Sequence, residues 1–297
     1  MLTVTATGAV FHQVTSPLVY LDHWCLMDFA EEPAASARLS AALSRSGGTL
    51  AISWLNLSEF VPVGSRKTAE ECEALIRAVW PNVAFIQVVP DPVIRLEDTE
   101  FKDSEQRTPM LDKDLFDHYL RRAMRSHGLN PWDPKGLITD LQNENLKARR
   151  KQHREVGLQA SKKHYDAAME RYRTDAKYRR WVRAVPGGPV RRWPTKHLME
   201  EVDHAAIRSG LNLFGGGNVD DLFHSIVPVS YCDLVVLDRA NANRISALVK
   251  RLKSAGLVSR AARVFSKPTL PDFWNALETW TGASPRDTPP SASSPVA

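Results

Sequence analysis

Two apolar runs, each followed directly by an aspartate, place the strongest constraint on how this chain can fold. Leu18–Leu21 leads into Asp22, and Leu234–Leu237 leads into Asp238. Short apolar runs of this kind are typical of buried strands. Ligands of open parallel sheets bind beyond the carboxyl ends of the strands, so an acid at that position faces the binding cleft. We therefore expect Asp22 and Asp238 at one edge of a shared sheet.

Alternating strands and helices on both sides of the chain's middle predict an α/β fold. Further strands are predicted at 49–52, 83–89 and 262–265, with helical patterns between them. Such alternation is typical of a parallel sheet covered by helices on both faces. We expect a three-layer α/β/α sandwich with a central parallel sheet. The helix that follows Asp221 is expected to be short, because Pro228 interrupts it.

The alternation is lost in the middle of the chain, which predicts a large helical insertion there. A long helical run is expected over 135–182, with Gly157 as a candidate break. The predicted organisation is a first part of the α/β domain (1–96), a basic helical insertion (97–198), a second part of the α/β domain (199–282) and a disordered tail rich in Pro and Ser (283–297).

The basic charge of the chain is concentrated in this insertion. Residues 146–196 contain 16 Lys and Arg against 4 Asp and Glu, an excess of 12, whereas the whole chain has a net charge of only +5. A surface of this kind fits a polyanion. The residues predicted to contact nucleic acid are Arg149, Arg150, Lys151, Arg154, Lys162, Lys163, Arg179, Arg180 and Arg183. Trp181 and Trp193 are candidates for stacking on bases.

The remaining composition favours a soluble cytoplasmic protein without a membrane segment. The three cysteines are scattered and form no CxxC pair, so neither a disulfide framework nor a zinc site is indicated. The N-terminus has no basic region of the kind that opens a signal peptide, and no apolar run approaches the length that spans a bilayer.

Four acids lie where an α/β cleft would need metal ligands: Asp22, Glu59, Asp221 and Asp238, with Asp220 as a substitute for Asp221. Carboxylates that converge on one cleft repel each other unless cations lie between them, and oxygen ligands suit Mg²⁺ or Mn²⁺. Each acid also has a purely structural interpretation, as an ordinary residue at a strand end, at a helix start or on the surface. Both interpretations stay open at this point.

The order and spacing of these residues resemble the PIN-domain nucleases. The resemblance consists of a strand with Asp22, then Ile52-Ser53 with Glu59 six residues on, then Asp221 with His224, then a strand with Asp238. It implies a three-layer α/β/α fold that gathers these acids around Mg²⁺ or Mn²⁺ to cut RNA. Many family members are the toxins of toxin–antitoxin pairs, which implies a toxin or defence nuclease with an antitoxin or regulatory protein as partner.

The predicted function is therefore metal-dependent endoribonuclease activity, with RNA as the polymer and DNA as the alternative. The runner-up is a non-catalytic nucleic-acid-binding protein that keeps the fold, and His23-Trp24 after the first acid favours it. A phosphatase of the haloacid dehalogenase type needs a second Asp two residues after the first, where this chain has Trp24. That class is therefore set aside.

Overall fold

The computed structural model describes most of the two α/β parts of the chain and a portion of its middle. The described residues are 2–4, 10–12, 14–60, 66–99, 109–112, 115, 138, 162–163, 165–188, 194–210 and 218–281. The predicted tail (283–297) and most of the predicted insertion lie outside them. The proposed division of the chain into parts stays a prediction.

Five parallel strands form the central sheet. They are, in chain order, β3 (Leu18–Leu21), β4 (Thr49–Ile52), β5 (Val83–Phe85), β6 (Leu234–Val236) and β7 (Arg263–Phe265). A separate antiparallel pair consists of β1 (Leu2–Val4) and β2 (Val10–His12). The spatial order of the main sheet is β5-β4-β3-β6-β7. The chain thus extends from β3 to one side and later continues on the other side, which makes the β3/β6 boundary a topological switch point.

Among the described residues, ten α-helices have defined bounds, apart from the helical segment 165–174. They are α1 (His23–Glu31), α2 (Pro33–Ser46), α3 (Trp54–Phe60), α4 (Arg66–Val79), α5 (Pro90–Thr99), α6 (Ala176–Arg183), α7 (Thr195–Ser209), α8 (Asn218–Tyr231), α9 (Arg239–Ser254) and α10 (Leu270–Glu278). A 3₁₀ turn at Lys267–Thr269 precedes α10.

The strands β3, β4, β5 and β6 are buried on both faces, so each contributes to two hydrophobic cores. Side chains alternate between the faces of a strand: Val19 and Leu21 of β3 pack with α1, α2, α4 and α10, whereas Leu18 and Tyr20 pack with α7, α8 and α9. All four of these residues are at most 3% exposed. This arrangement confirms the predicted three-layer α/β/α sandwich with a central parallel sheet.

Three details of the sequence prediction are wrong. The third strand ends at Phe85 rather than near residue 89, because Ile86 forms an isolated bridge with Leu111 and Pro90 begins α5. Proline suits the first turn of a helix, where its missing amide hydrogen costs nothing. The predicted helix 135–182 is interrupted at Asp175, whose carboxylate caps α6.

The third error concerns Pro228, which does not end the helix after Asp221. α8 continues through Pro228 to Tyr231. The residues around the proline are fully buried, namely Ile226, Val227, Val229 and Tyr231. Their packing holds the helix together although one backbone hydrogen bond is lost.

All three cysteines are buried free thiols, and their reactivity provides a test of this packing. Burial, with a smaller contribution from nearby carboxylates, raises the pKa of Cys72 to about 12 and raises the pKa of Cys25 well above its usual range. The reactive species is the thiolate. At pH 8 we therefore expect iodoacetamide to modify the native protein very slowly and all three thiols rapidly in denaturant, as measured by intact mass. Equal rates in both conditions would contradict the predicted burial.

Among the described residues, no helix combines the length and apolar character needed to cross a membrane.

Candidate functional site

Asp22 and Asp238 lie side by side at the carboxyl edge of the sheet. Asp22 follows β3, and Asp238 begins α9 just beyond the neighbouring strand β6. The backbone amide of Asp238 donates a hydrogen bond to Oδ2 of Asp22 at 3.3 Å. The amide of Asp22 donates to the carbonyl oxygen of Val236 at 2.9 Å. Since β3 and β6 flank the switch point, the two acids lie where open α/β sheets bind ligands.

Each of these two aspartates also caps the helix that follows its strand. Oδ1 of Asp22 accepts a hydrogen bond from the amide of His23 at 2.8 Å. Oδ1 of Asp238 accepts from the amides of Ala240 and Asn241 at 2.8 and 3.1 Å, and its Oδ2 accepts from Nδ2 of Asn241 at 2.6 Å. Aspartate is a preferred N-cap. Asp22 and Asp238 therefore have a structural role as helix caps. A carboxylate has about four lone-pair sites, so capping a helix does not by itself prevent it from binding a metal ion.

Glu59 reaches the same edge from α3, the helix that follows β4. Its Oε2 lies 3.7 Å from Nδ1 of His23, and their side chains are 20% and 21% exposed respectively. His23 is also the residue whose amide binds Asp22. His23 thus contacts the first predicted acid through its backbone amide and the second through its imidazole, while the neighbouring Trp24 packs against the core on the α1 side.

The structure contains a buried polar network next to the acids that was not predicted from the sequence. The Tyr20 hydroxyl lies 3.4 Å from Oγ of Ser53, which donates to Oδ1 of Asn56 at 2.8 Å. Nδ2 of Asn56 donates to the carbonyl oxygen of Leu21 at 3.2 Å. This network ties the carboxyl ends of β3 and β4 together. The sequence signal for it is Ser53 with Asn56 three residues on, directly after a strand, which is typical of a helix start.

The pKa of the Tyr20 hydroxyl responds to the charges of both Asp22 and Glu59, so both acids lie close to this hydroxyl. Burial raises the pKa of Tyr20 well above its usual range, and the negative charges of Asp22 and Glu59 raise it further. A carboxylate acts on a phenol in this way only from nearby. The structure thus brings Asp22, Glu59 and Asp238 to one region of the sheet edge.

Asp220 and Asp221 belong to the start of α8, where the structure describes the backbone but not their side chains. The far end of α8 is at Tyr231, close to the amino edge of the sheet, where the amide of Asp233 donates to the carbonyl of Leu18. Fourteen helical residues extend roughly 20 Å. The start of α8 therefore points to the carboxyl edge, and the ligand role of Asp220 or Asp221 stays a prediction.

The described residues contain no group of three or more His, Cys, Asp or Glu side chains placed to hold a metal ion. The acids that do come together are Asp22 and Asp238, with Glu59 adjacent through His23. Their oxygens are the donor type that Mg²⁺ and Mn²⁺ prefer. This donor set fits such an ion as a partial site, one that would be completed by water or by an acid of α8.

The predicted nucleic-acid-binding residues divide into two groups. Arg149, Arg150, Lys151 and Arg154 lie outside the described residues. Lys162, Lys163, Arg179, Arg180 and Arg183 lie in helical segments, and Lys163 and Arg180 are exposed. Lys162 and Arg183 are exposed as well, and α6, which carries Arg180 and Arg183, packs against α7.

Arg179 and Arg183 also stabilise the local structure through hydrogen bonds. Nη1 of Arg179 donates to the carbonyl oxygens of Tyr172 and Arg173, at 3.1 and 2.7 Å, at the end of the helical segment 165–174. Nε of Arg183 donates to the Tyr172 hydroxyl at 2.7 Å. These bonds fix the turn at Asp175, so the guanidinium groups of Arg179 and Arg183 also stabilise the bend between two helices.

Comparison with known proteins assigns no family to this geometry. No family model, no curated protein and no solved structure matches the chain. The resemblance to PIN-domain nucleases therefore stays a prediction. The acids at the switch point and the basic helices carry the functional argument.

Proposed function

We propose that this protein is a metal-dependent endoribonuclease of the PIN-like type. The observation that carries the proposal is the meeting of Asp22 and Asp238 at the topological switch point, with Glu59 adjacent through His23. Three carboxylates at the edge where α/β sheets bind ligands would attract a divalent cation. The exposed cations Lys162, Lys163, Arg180 and Arg183 support a polyanionic substrate.

The proposed ligands are Asp22, Asp238 and Glu59, with Asp220 or Asp221 from α8 as a further acid. When bound, Mg²⁺ or Mn²⁺ would activate water and stabilise charge on a phosphodiester. The side chains of Ser53 and Asn56 would keep the ends of β3 and β4 in place, since their hydrogen bonds join the two strands. His23 would orient Glu59.

The second candidate is a nucleic-acid-binding protein without catalytic activity. The observation that favours it is that every described acid of the site already has a partner: Asp22 and Asp238 accept backbone hydrogen bonds, and Glu59 lies next to His23. In this case the acids would serve the fold, and the basic helices alone would carry the function.

We place the protein in the cytoplasm, where an antitoxin or regulatory protein would cover the acidic edge.

Cleavage and binding assays separate the two candidates. We expect the protein to cut single-stranded RNA in the presence of Mn²⁺ or Mg²⁺ and to be inactive with a chelator. Binding in the chelator should fall steeply with salt, because each phosphate contact releases a counterion. Binding without cleavage of any RNA or DNA under metal-replete conditions would favour the second candidate. Salt-independent binding, or none at low salt, would count against both.

A further inference from the structure

A second concave site lies between α6, the turn after it and α7. The cavity has a volume of about 220 Å³. Its lining residues include Trp181, His197, Glu200, Glu201, His204 and Leu252. Pockets for drug-sized ligands measure about 300–1,000 Å³. A cavity of this size suits a smaller group.

One wall of the cavity is an exposed aromatic side chain. Trp181 is 56% exposed, and Val185 at the mouth is 73% exposed. The Trp181 ring contacts the Tyr178 ring at a centroid distance of 5.4 Å and the nearly perpendicular imidazole of His204 at 4.2 Å. A fixed tryptophan that still faces solvent is a platform on which a flat ligand can stack.

The polar groups of the cavity favour a neutral ligand that donates hydrogen bonds. Glu201 is neutralised by Arg208 and Arg251, at 2.6 and 3.0 Å. Burial lowers the pKa of His204, so its imidazole is uncharged at neutral pH. The Glu200 carboxylate, 50% exposed, is an acceptor on the same wall, and its Oε2 lies 3.7 Å from Nδ1 of the buried His197. A phosphate would meet this carboxylate unfavourably, whereas a group with adjacent N–H donors would match it.

The surroundings identify the class of ligand. Trp181 lies on α6 next to the exposed cations Lys177, one helical turn before it, and Arg180, the residue before it. Phosphates of a single strand would contact these cations, while a base could leave the strand and enter the neutral cavity. Proteins recognise single-stranded RNA by stacking unpaired bases on aromatic side chains and binding their polar edges.

We propose that this cavity binds one unpaired guanine of single-stranded RNA. The base stacks on Trp181, and its ring N–H and exocyclic amino group donate to the two oxygens of Glu200. Guanine is the base whose pairing edge offers two adjacent donors that match a carboxylate. The cavity lies at the opposite edge of the sheet from the acids, because Leu252 is fourteen residues along α9 from Asp238, about 21 Å on the helix axis.

The test compares oligouridine with the same oligonucleotide carrying a single central guanine, by fluorescence anisotropy in chelator. Because the choice of polymer rests on the proposed function, the Asp22→Asn protein is used so that binding is measured without cleavage. We expect the guanine to tighten binding at least about tenfold. Trp181→Ala should weaken binding of the guanine oligonucleotide about 5- to 150-fold, whereas Trp181→Phe should retain most of it.

Two further measurements test the hydrogen bonds to the base and whether a free nucleotide binds as well as a strand. Glu200→Gln should abolish the preference for guanine over hypoxanthine, which lacks the amino group, and Val89→Ala should change nothing as an exposed apolar control. Guanosine monophosphate as a competitor shows whether a free nucleotide binds as well as a strand. Equal binding of the two oligonucleotides by the wild-type cavity, or unchanged guanine binding in Trp181→Ala and Glu200→Gln, would overturn the proposal. Guanine preference without cleavage by the wild type would instead refute only the nuclease.

Discussion

Replacing Asp22 with asparagine is expected to reduce metal-dependent RNA cleavage at least about 100-fold, since loss of an outer-shell partner alone costs 10–100-fold in metal sites. Asparagine retains the shape of the side chain but removes the charge that would hold the cation. The expected defect is in metal occupancy, so added Mn²⁺ should raise the melting temperature of the wild type and not of the variant. Both effects are measured on the full chain, by a cleavage assay and a thermal shift.

The structure separates this catalytic effect from a folding effect. Asparagine retains one of the two acceptor oxygens of Asp22, so Asp22→Asn can keep the cap on α1 but loses the hydrogen bond from the amide of Asp238. We therefore expect its free energy of unfolding in chelator to stay within about 1 kcal/mol of that of the wild type. Asp22→Ala should lose the cap as well, at about 1 kcal/mol. Glu70→Gln on the exposed face of α4 is the matched control for charge removal. Cleavage that survives Asp22→Asn or the chelator would show that this site is not the catalyst.

The sheet edge is the part of the site that sequence predicts well. Short apolar runs such as Leu18–Leu21 determine where parallel strands lie, and the residue after a buried strand must appear at the carboxyl edge. The neighbourhood of Asp22 and Asp238 follows from that rule alone, although the sequence does not reveal that each acid would also cap a helix. Capping depends on the backbone conformation at the turn, which is fixed only when the helix is packed.

Features that depend on tertiary packing were not predictable. α8 continues through Pro228 because its neighbours are buried between α5, α9 and the sheet, and local propensity favours the opposite outcome. The break at Asp175 depends on Arg179 and Arg183, which satisfy the end of the preceding helical segment. In sequence these two arginines look like part of a uniform basic run.

Glu201 is a buried charged residue whose role depends on tertiary contacts that the sequence does not reveal. It is 1% exposed, and it accepts from Nη2 of Arg208 at 2.6 Å and pairs with Nε of Arg251 at 3.0 Å. The same two guanidinium groups also donate to backbone carbonyls at the end of α6, Arg208 to Val182 at 2.9 Å and Arg251 to Ala184 at 2.6 Å. One carboxylate on α7 therefore holds both cations that fasten α6 to the rest of the fold.

Glu201→Gln is expected to destabilise the protein by about 2–4 kcal/mol. Breaking a buried ion pair costs about 3–5 kcal/mol because the remaining charge lacks a counter-charge, and the partial exposure of the two arginines reduces that cost. The melting temperature should fall by about 5–10 °C. Amide hydrogen exchange should accelerate most in α6, since its terminal carbonyls lose the arginines that Glu201 positions.

Glu200→Gln is the stability control, because Glu200 lies next to Glu201 on α7 but is half exposed and should change the free energy of unfolding by less than about 0.5 kcal/mol. A double-mutant cycle with Arg208→Gln tests the mechanism. If Glu201 acts through Arg208, the combined variant should lose clearly less stability than the sum of the two single variants, since the partner of each is already gone. A loss equal to the sum, or a Glu201→Gln protein as stable as Glu200→Gln with unchanged exchange in α6, would show that this carboxylate does not fasten the basic helix.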